Sequence, residues 1–199
     1  IEYTVMIKEG AYMNEVWRRF ENWLNTNFSE AYHDLNKPIS KEQLSLLEKI
    51  LSIKLPEEFI NCLKIHNGQA GDSGWIIDGS ELLSSERIVD EWTVWNDMLK
   101  GGEFDDCKEE RDNGIKSDWW NSKWIPFTYD DCGNNLCIDL DPAENGTYGQ
   151  IITMWHDDGE REVKAKSFKE WFSQYVQDIE SGKYVYCDDY EAIVNVNDL

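Results

Sequence analysis

From Met13 to Phe28 the apolar residues Val16, Trp17, Phe20, Trp23, Leu24 and Phe28 recur every three or four positions, with Asn, Glu and Arg between them. That spacing predicts an amphipathic helix. A second helix has a clear start: Ser40 and Gln43 form a capping-box pair, Ile39 and Leu44 a hydrophobic staple, and Leu44, Leu47, Ile50 and Leu51 the buried face. Pro56 suits a helical first turn because its missing N–H has no intrahelical partner there, and Glu57 and Glu58 complement the positive end of the dipole. Phe59, Cys62, Leu63 and His66 then share one face, and Asn67-Gly68 supplies the stop.

Trp75-Ile76-Ile77 predicts a short strand between glycine-rich flanks. Ile88, Trp92, Trp95 and Leu99 mark the inner face of a helix over about 85–100, ended by Gly101-Gly102. Strand signals dominate from Trp124 to Ala165. Trp124–Phe127 carries Pro126 and suits a strand end. Leu136, Ile138 and Leu140 alternate with Cys137, Asp139 and Asp141, predicting one buried face, and turns at Gly133-Asn134-Asn135, Glu144-Asn145-Gly146 and Asp157-Asp158-Gly159 make the region an antiparallel meander. Ser167 and Glu170 open a last helix with Phe168, Trp171, Phe172, Tyr175, Val176 and Ile179 inward, closed by Gly182. Residues 183–199 read as a C-terminal extension, either an edge strand or an acidic tail. Residues 101–117, with Glu103, Asp105, Asp106, Glu109, Glu110 and Asp112 against Lys108, Arg111 and Lys116, read as a solvated insertion or mobile loop. Helices, then strands, then a helix predict an α+β fold with helices packed on one side of a largely antiparallel sheet. At 199 residues one domain over 1–199 is expected, with its core at about 13–182.

Charge changes this picture most. Nineteen basic residues against forty acidic ones give a net charge of −21. Nucleic acid and anionic membranes are therefore poor partners and a basic protein a better one, although acidity also serves solubility. The aromatic content of 13% excludes a disordered acidic chain. Cys62, Cys107, Cys132, Cys137 and Cys187 are odd in number and match no zinc or redox spacing, so free thiols in a reducing cytoplasm are expected. No apolar run approaches a membrane span, and the chain opens on Ile1 rather than Met, which leaves open a leader removed before it.

One ordered set of positions has a wider meaning. Trp17, Leu55-Pro56, Asn67-Gly68, Trp124-Ile125-Pro126-Phe127, Asn135 to Asp139, Gly149-Gln150-Ile151-Ile152 and Ser167-Phe168 to Trp171 follow one another in an order that resembles the SMI1/KNR4 family (SUKH superfamily), over about residues 13–180. The resemblance implies the α+β fold and implies no catalytic residues. Bacterial members resemble immunity proteins that neutralise toxins delivered between competing cells, and eukaryotic relatives resemble regulators of cell-wall synthesis. The expectation drawn from it is a cytoplasmic, non-enzymatic immunity protein that occludes a basic cognate toxin domain, such as a nuclease. A regulatory scaffold for a cellular partner is the alternative.

Individual residues offer little chemistry. His66 lies on an apolar helix face, as a structural histidine does, and His33 falls in a loop. His156-Asp157-Asp158 fits a hairpin turn better than a metal or acid/base cluster, and Asp139 to Gly146 fails the ligand spacing of a calcium loop. No metal or cofactor is expected. As partner-binding residues the carboxylates Glu103, Asp105, Asp106, Asp130, Asp131, Asp157 and Asp158 are candidates, able to imitate phosphates before a basic cleft. Trp119 and Trp120 join them, because neighbours on a strand point to opposite faces. Trp75 and Trp155 also fall outside strong helical stripes, which opens a third reading, a carbohydrate binder or enzyme using aromatic and acidic groups.

Overall fold

The computed structural model describes residues 2–107 and 110–199, and the side chains of 10–107 and 110–199. Ile1, Lys108 and Glu109 lie outside the described residues. The elements are α1 (Glu2–Asn27), α2 (Ser29–His33), α3 (Lys41–Leu51), α4 (Glu57–Leu63), β1 (Glu81–Leu82), α5 (Ser85–Gly101), β2 (Glu110–Arg111), β3 (Trp124–Pro126), β4 (Thr128–Tyr129), β5 (Asn135–Asp139), β6 (Gln150–Met154), β7 (Glu160–Arg161), β8 (Val163–Ala165), α6 (Phe168–Glu180), β9 (Tyr184–Cys187) and β10 (Ala192–Asn195). The fold is α+β.

Local chemistry sets the helix starts. Ser40 accepts the Gln43 N–H at 3.0 Å while Gln43 accepts the Ser40 N–H at 2.9 Å, so the capping box is complete. Ser167 accepts the Glu170 N–H at 3.1 Å, but the Glu170 carboxylate reaches back to the Lys166 N–H instead of that of Ser167. Pro56 immediately precedes α4, and its carbonyl takes the N–H groups of Phe59 and Ile60. This helix ends at Leu63, earlier than the apolar spacing predicts. His66 lies beyond it, with Nδ1 on the Asn36 carbonyl at 2.8 Å and Nε2 on Glu21 at 2.7 Å. Gly68, at φ +66°, then turns the chain hard against Leu83 and Ser84, where a Cβ would sit 2.4 Å from the Leu83 backbone.

Strands β3, β5, β6 and β8 form a four-stranded antiparallel sheet in the order β3-β5-β6-β8. Ile125, Ile138 and Ile151 stand in register on it and meet Trp17 and Phe20 of α1, Phe59 of α4 and Phe172 of α6 in the main core. Cys137, predicted to face outward, is fully buried, and so is Asp139. The reason is a second cluster on the opposite face, in which Trp95 of α5, Ile115 and Trp120 pack on Trp124, Cys137, Ile152 and Met154. A strand covered on both faces loses the alternation that marks a half-buried one.

Other predicted features shift. Trp75–Ile77 makes only isolated bridges, to Ala192 and Ser80. Ile50 and Leu99, expected inside, are 39% and 38% exposed, since α3 buries Leu47 and Leu51 instead and every residue of α5 beyond Asn96 is exposed. The 101–117 segment is solvated only in part. Glu103, Asp105 and Asp106 are exposed, whereas Glu110–Arg111 pairs in parallel with Glu160–Arg161, Asp112 accepts the Val163 N–H at 2.7 Å, and Ile115 is buried. The C-terminal stretch is an antiparallel hairpin of β9 and β10 that puts Ala192 and Ile193 into the core. No helix among the described residues is long and apolar enough to cross a membrane.

Candidate functional site

The hairpin of β9 and β10 forms one wall of an acidic cleft of about 630 Å³. Its remaining walls are Phe28 and Glu30 at the α1–α2 junction, Asp72 to Trp75, and Asp131 in the turn between β4 and β5. From the hairpin come Tyr186, Asp188, Tyr190 and Glu191. All of Glu30, Asp72, Asp131, Asp188 and Glu191 are exposed, and among the described residues no Lys, Arg or His lines the cleft.

The walls are built before any ligand arrives. Asp34, only 8% exposed, accepts the Gly71 N–H at 3.1 Å, the Asp72 N–H at 3.0 Å and the Ser73 hydroxyl at 2.9 Å, which fixes the loop carrying Asp72 and Trp75. Gly74 lets that loop touch the hairpin, since a Cβ there would fall 1.4 Å from the Glu191 carbonyl oxygen. Trp75 accepts the Ile193 N–H at its carbonyl, at 2.9 Å. Phe28 and Tyr186 stack with ring centroids 4.1 Å apart. Desolvation, followed by the charge of Asp188, pushes the Tyr186 phenol above its ordinary value, with Glu30 and Glu191 adding to the effect. The potential in the cleft is thus negative, and its aromatic rings present faces that attract cations.

Of the residues expected to bind a partner, only Asp131 lines this cleft. Asp130 is occupied by its own turn, accepting the N–H groups of Cys132 and Asn134 at 2.8 and 2.9 Å and the Asn134 amide at 2.7 Å. Asp157 and Asp158 are exposed on the next turn, which meets the Asp130 turn where the His156 N–H donates to Asn134 Oδ1 at 3.0 Å. Glu103, Asp105 and Asp106 lie on the turns after α5. The tryptophan expectation needs correction. Trp120 is 2% exposed, stacked on Trp95 at 5.4 Å, and Trp119 is half-buried with the Arg161 guanidinium 5.1 Å over its ring. These two residues are not in a strand, so the rule of opposite faces does not govern them.

A second groove of about 250 Å³ lies beside Trp155, Trp171 and Tyr184. Its polar groups are largely spent internally: Thr128 Oγ1 takes the Leu136 N–H at 2.8 Å, Thr153 Oγ1 the Glu162 N–H at 2.9 Å, and Asp130 its own turn. A sugar reader needs such groups free, so the acidic cleft is the better candidate. Among the described residues no three His, Cys, Asp or Glu side chains converge to hold a metal ion.

The sequence matches the model of the SMI1 / KNR4 family (SUKH-1) over residues 38–174. The chain belongs to this family. It is 29% identical over 191 residues to "Cell wall biosynthesis/cell cycle regulator smi1" of Schizosaccharomyces pombe, covering 89% of this chain and 38% of that protein. It is 26% identical over 209 residues to "Glucan synthesis regulatory protein" of Neurospora crassa, covering 87% and 39%. It is 24% identical over 210 residues to "Cell wall assembly regulator SMI1" of Saccharomyces cerevisiae, covering 87% and 41%. The chain thus spans about two fifths of the length of these relatives. They overturn the toxin-immunity expectation. Relatives that cover nearly the whole chain are named as fungal regulators of cell-wall or glucan synthesis, so neither a cognate toxin domain nor bacterial competition is supported.

Proposed function

We propose that this SMI1/KNR4 chain is a non-catalytic regulatory domain, one unit over residues 1–199, that holds a basic segment of a cellular protein in its acidic, aromatic-walled cleft. The carrying observation is the cleft itself, with five exposed carboxylates and the rings of Trp75, Tyr186 and Tyr190 on walls braced by Asp34 and Gly74. An arginine or lysine side chain gains from both features, charge pairing with the carboxylates and cation–π contact with the rings. The names of the relatives suggest cell-wall and glucan synthesis as the process regulated.

The two buried cysteines are unsuited to act as nucleophiles. Burial pushes the Cys62 thiol up to about 12 and the Cys137 thiol well above its ordinary value, which leaves both protonated and inert. All five cysteines are unpaired, which suits a reducing, cytoplasmic setting.

The test is fluorescence anisotropy with a fluorescein-labelled peptide of alternating Arg and Gly. The variant Asp72→Asn/Asp188→Asn/Glu191→Gln is compared with Glu103→Gln/Asp105→Asn/Asp106→Asn, which removes the same charge from the turns after α5. The cleft variant is expected to lose at least about tenfold in affinity and the other no more than about twofold. Equal losses would mean that net charge alone, and not the cleft, binds the peptide, and the proposal would fail.

A further inference from the structure

A second surface stands apart from the cleft and shares none of its residues. On α3 the positions Gln43, Leu46, Leu47 and Ile50 form a stripe, and on α5 Ser85, Glu86, Val89 and Asp90 face it across a groove of about 210 Å³. Leu46 is 56% exposed and Ile50 39%, in a chain of net charge −21. The floor is aliphatic and its α5 side is acidic. Burial acts to raise the Glu86 carboxyl, but hydrogen bonds from its own N–H, Gln43 and Ser85 outweigh it and hold the group below the usual range, so the side chain is charged. The Gln43 amide donates to Glu86 at 2.9 Å and bounds the apolar stretch at one end, beyond which His33, Asn36, Lys37 and Asn67 line a polar cleft.

The α3 stripe spans positions i, i+3, i+4 and i+7, which is two helical turns or roughly 11 Å. A groove of that length between two helices matches the apolar anchors that a short amphipathic helix presents. We propose that the α3–α5 groove receives such a helix from a protein partner, its apolar stripe bordered by Lys or Arg facing Glu86 and Asp90. Charge chooses this occupant over the alternatives. A second copy would bring another net −21 against the first, and an anionic membrane would meet the same repulsion.

The experiment titrates the 15N-labelled full chain with a synthetic amphipathic peptide of about 18 residues, Leu at the anchor positions and Lys along both flanks. Amide shifts are expected at Leu46, Ile50, Val89 and Asp90. Leu46→Gln/Ile50→Gln and, separately, Asp90→Lys should each weaken binding at least about fivefold, whereas Val94→Gln, an exposed aliphatic of α5 outside the groove, should change it less than about twofold. All four of these positions are exposed, so the variants leave the core intact. Shifts confined to the acidic cleft, equal binding of a peptide with Glu flanks, or self-association of the free chain that Leu46→Gln abolishes would each overturn the proposal.

Discussion

Asp34 takes three hydrogen bonds from residues 37 to 39 positions away, and no local motif surrounds it. Replacing it with Ala removes the acceptor of the Gly71 and Asp72 N–H groups, which belong to exposed residues and turn to water instead, so the net loss is that of a typical hydrogen bond, about 0.5–1.5 kcal/mol. Asp34→Ala is therefore expected to lose roughly that much stability in urea unfolding, with faster hydrogen exchange at Gly71 and Asp72; unchanged exchange there would show that the carboxylate does not hold the loop. Its role is illegible in the sequence because the partners are brought to it only by folding. Ser40 and Gln43 are the contrast, since both halves of their capping box lie three residues apart and were readable directly. Trp120 marks the opposite limit, an indole whose burial depends on Trp95 and Trp124 arriving from other elements.

At the scale of elements, helices with long apolar stripes were legible and covered surfaces were not. The faces of α1 and α6 follow from their periodicity alone. The burial of Cys137 and Asp139 could not, because the cluster that covers them draws on α5 and the 115–120 segment. The C-terminal hairpin falls between these cases: Tyr184, Val185 and Tyr186 carry a strand signal, but its docking depends on Gly74 meeting Glu191 and on Ile193 entering the core. Tyr186, Asp188, Tyr190 and Glu191 of the candidate site were hidden with it, since their stretch reads either as an edge strand or as an acidic tail. If the hairpin is structural, Ile193→Ala should cost about 2–5 kcal/mol, as large-to-small changes at fully buried positions do. Val194→Ala, at a half-buried position of the same strand, should cost less than about 1.5 kcal/mol. Equal, small losses in urea unfolding would mean that β9 and β10 are only loosely attached to the core.

For the whole molecule, a net charge of −21 acts on folding and on binding with opposite sign. Folding gathers forty carboxylates against nineteen cations, so the native state repels itself more than the expanded chain does. Raising NaCl from 0.01 to 0.1 M shortens the screening length from about 30 to about 10 Å and relieves that repulsion. Exposed pairs such as Arg18–Glu15 and Lys100–Asp97 weaken under the same change, but each contributes little. The melting temperature is therefore expected to rise with salt, by about 2–4 °C for each 1 kcal/mol gained. Potassium chloride should act as NaCl does, because the effect is screening and not sodium binding. The arginine peptide should respond in reverse, its affinity for the cleft falling several-fold over the same interval as its attraction is screened. A melting temperature that falls with salt would mean that specific ion pairs outweigh the net repulsion. Affinity that is insensitive to salt would remove charge as the basis of recognition and leave the rings of Trp75, Tyr186 and Tyr190 to account for it.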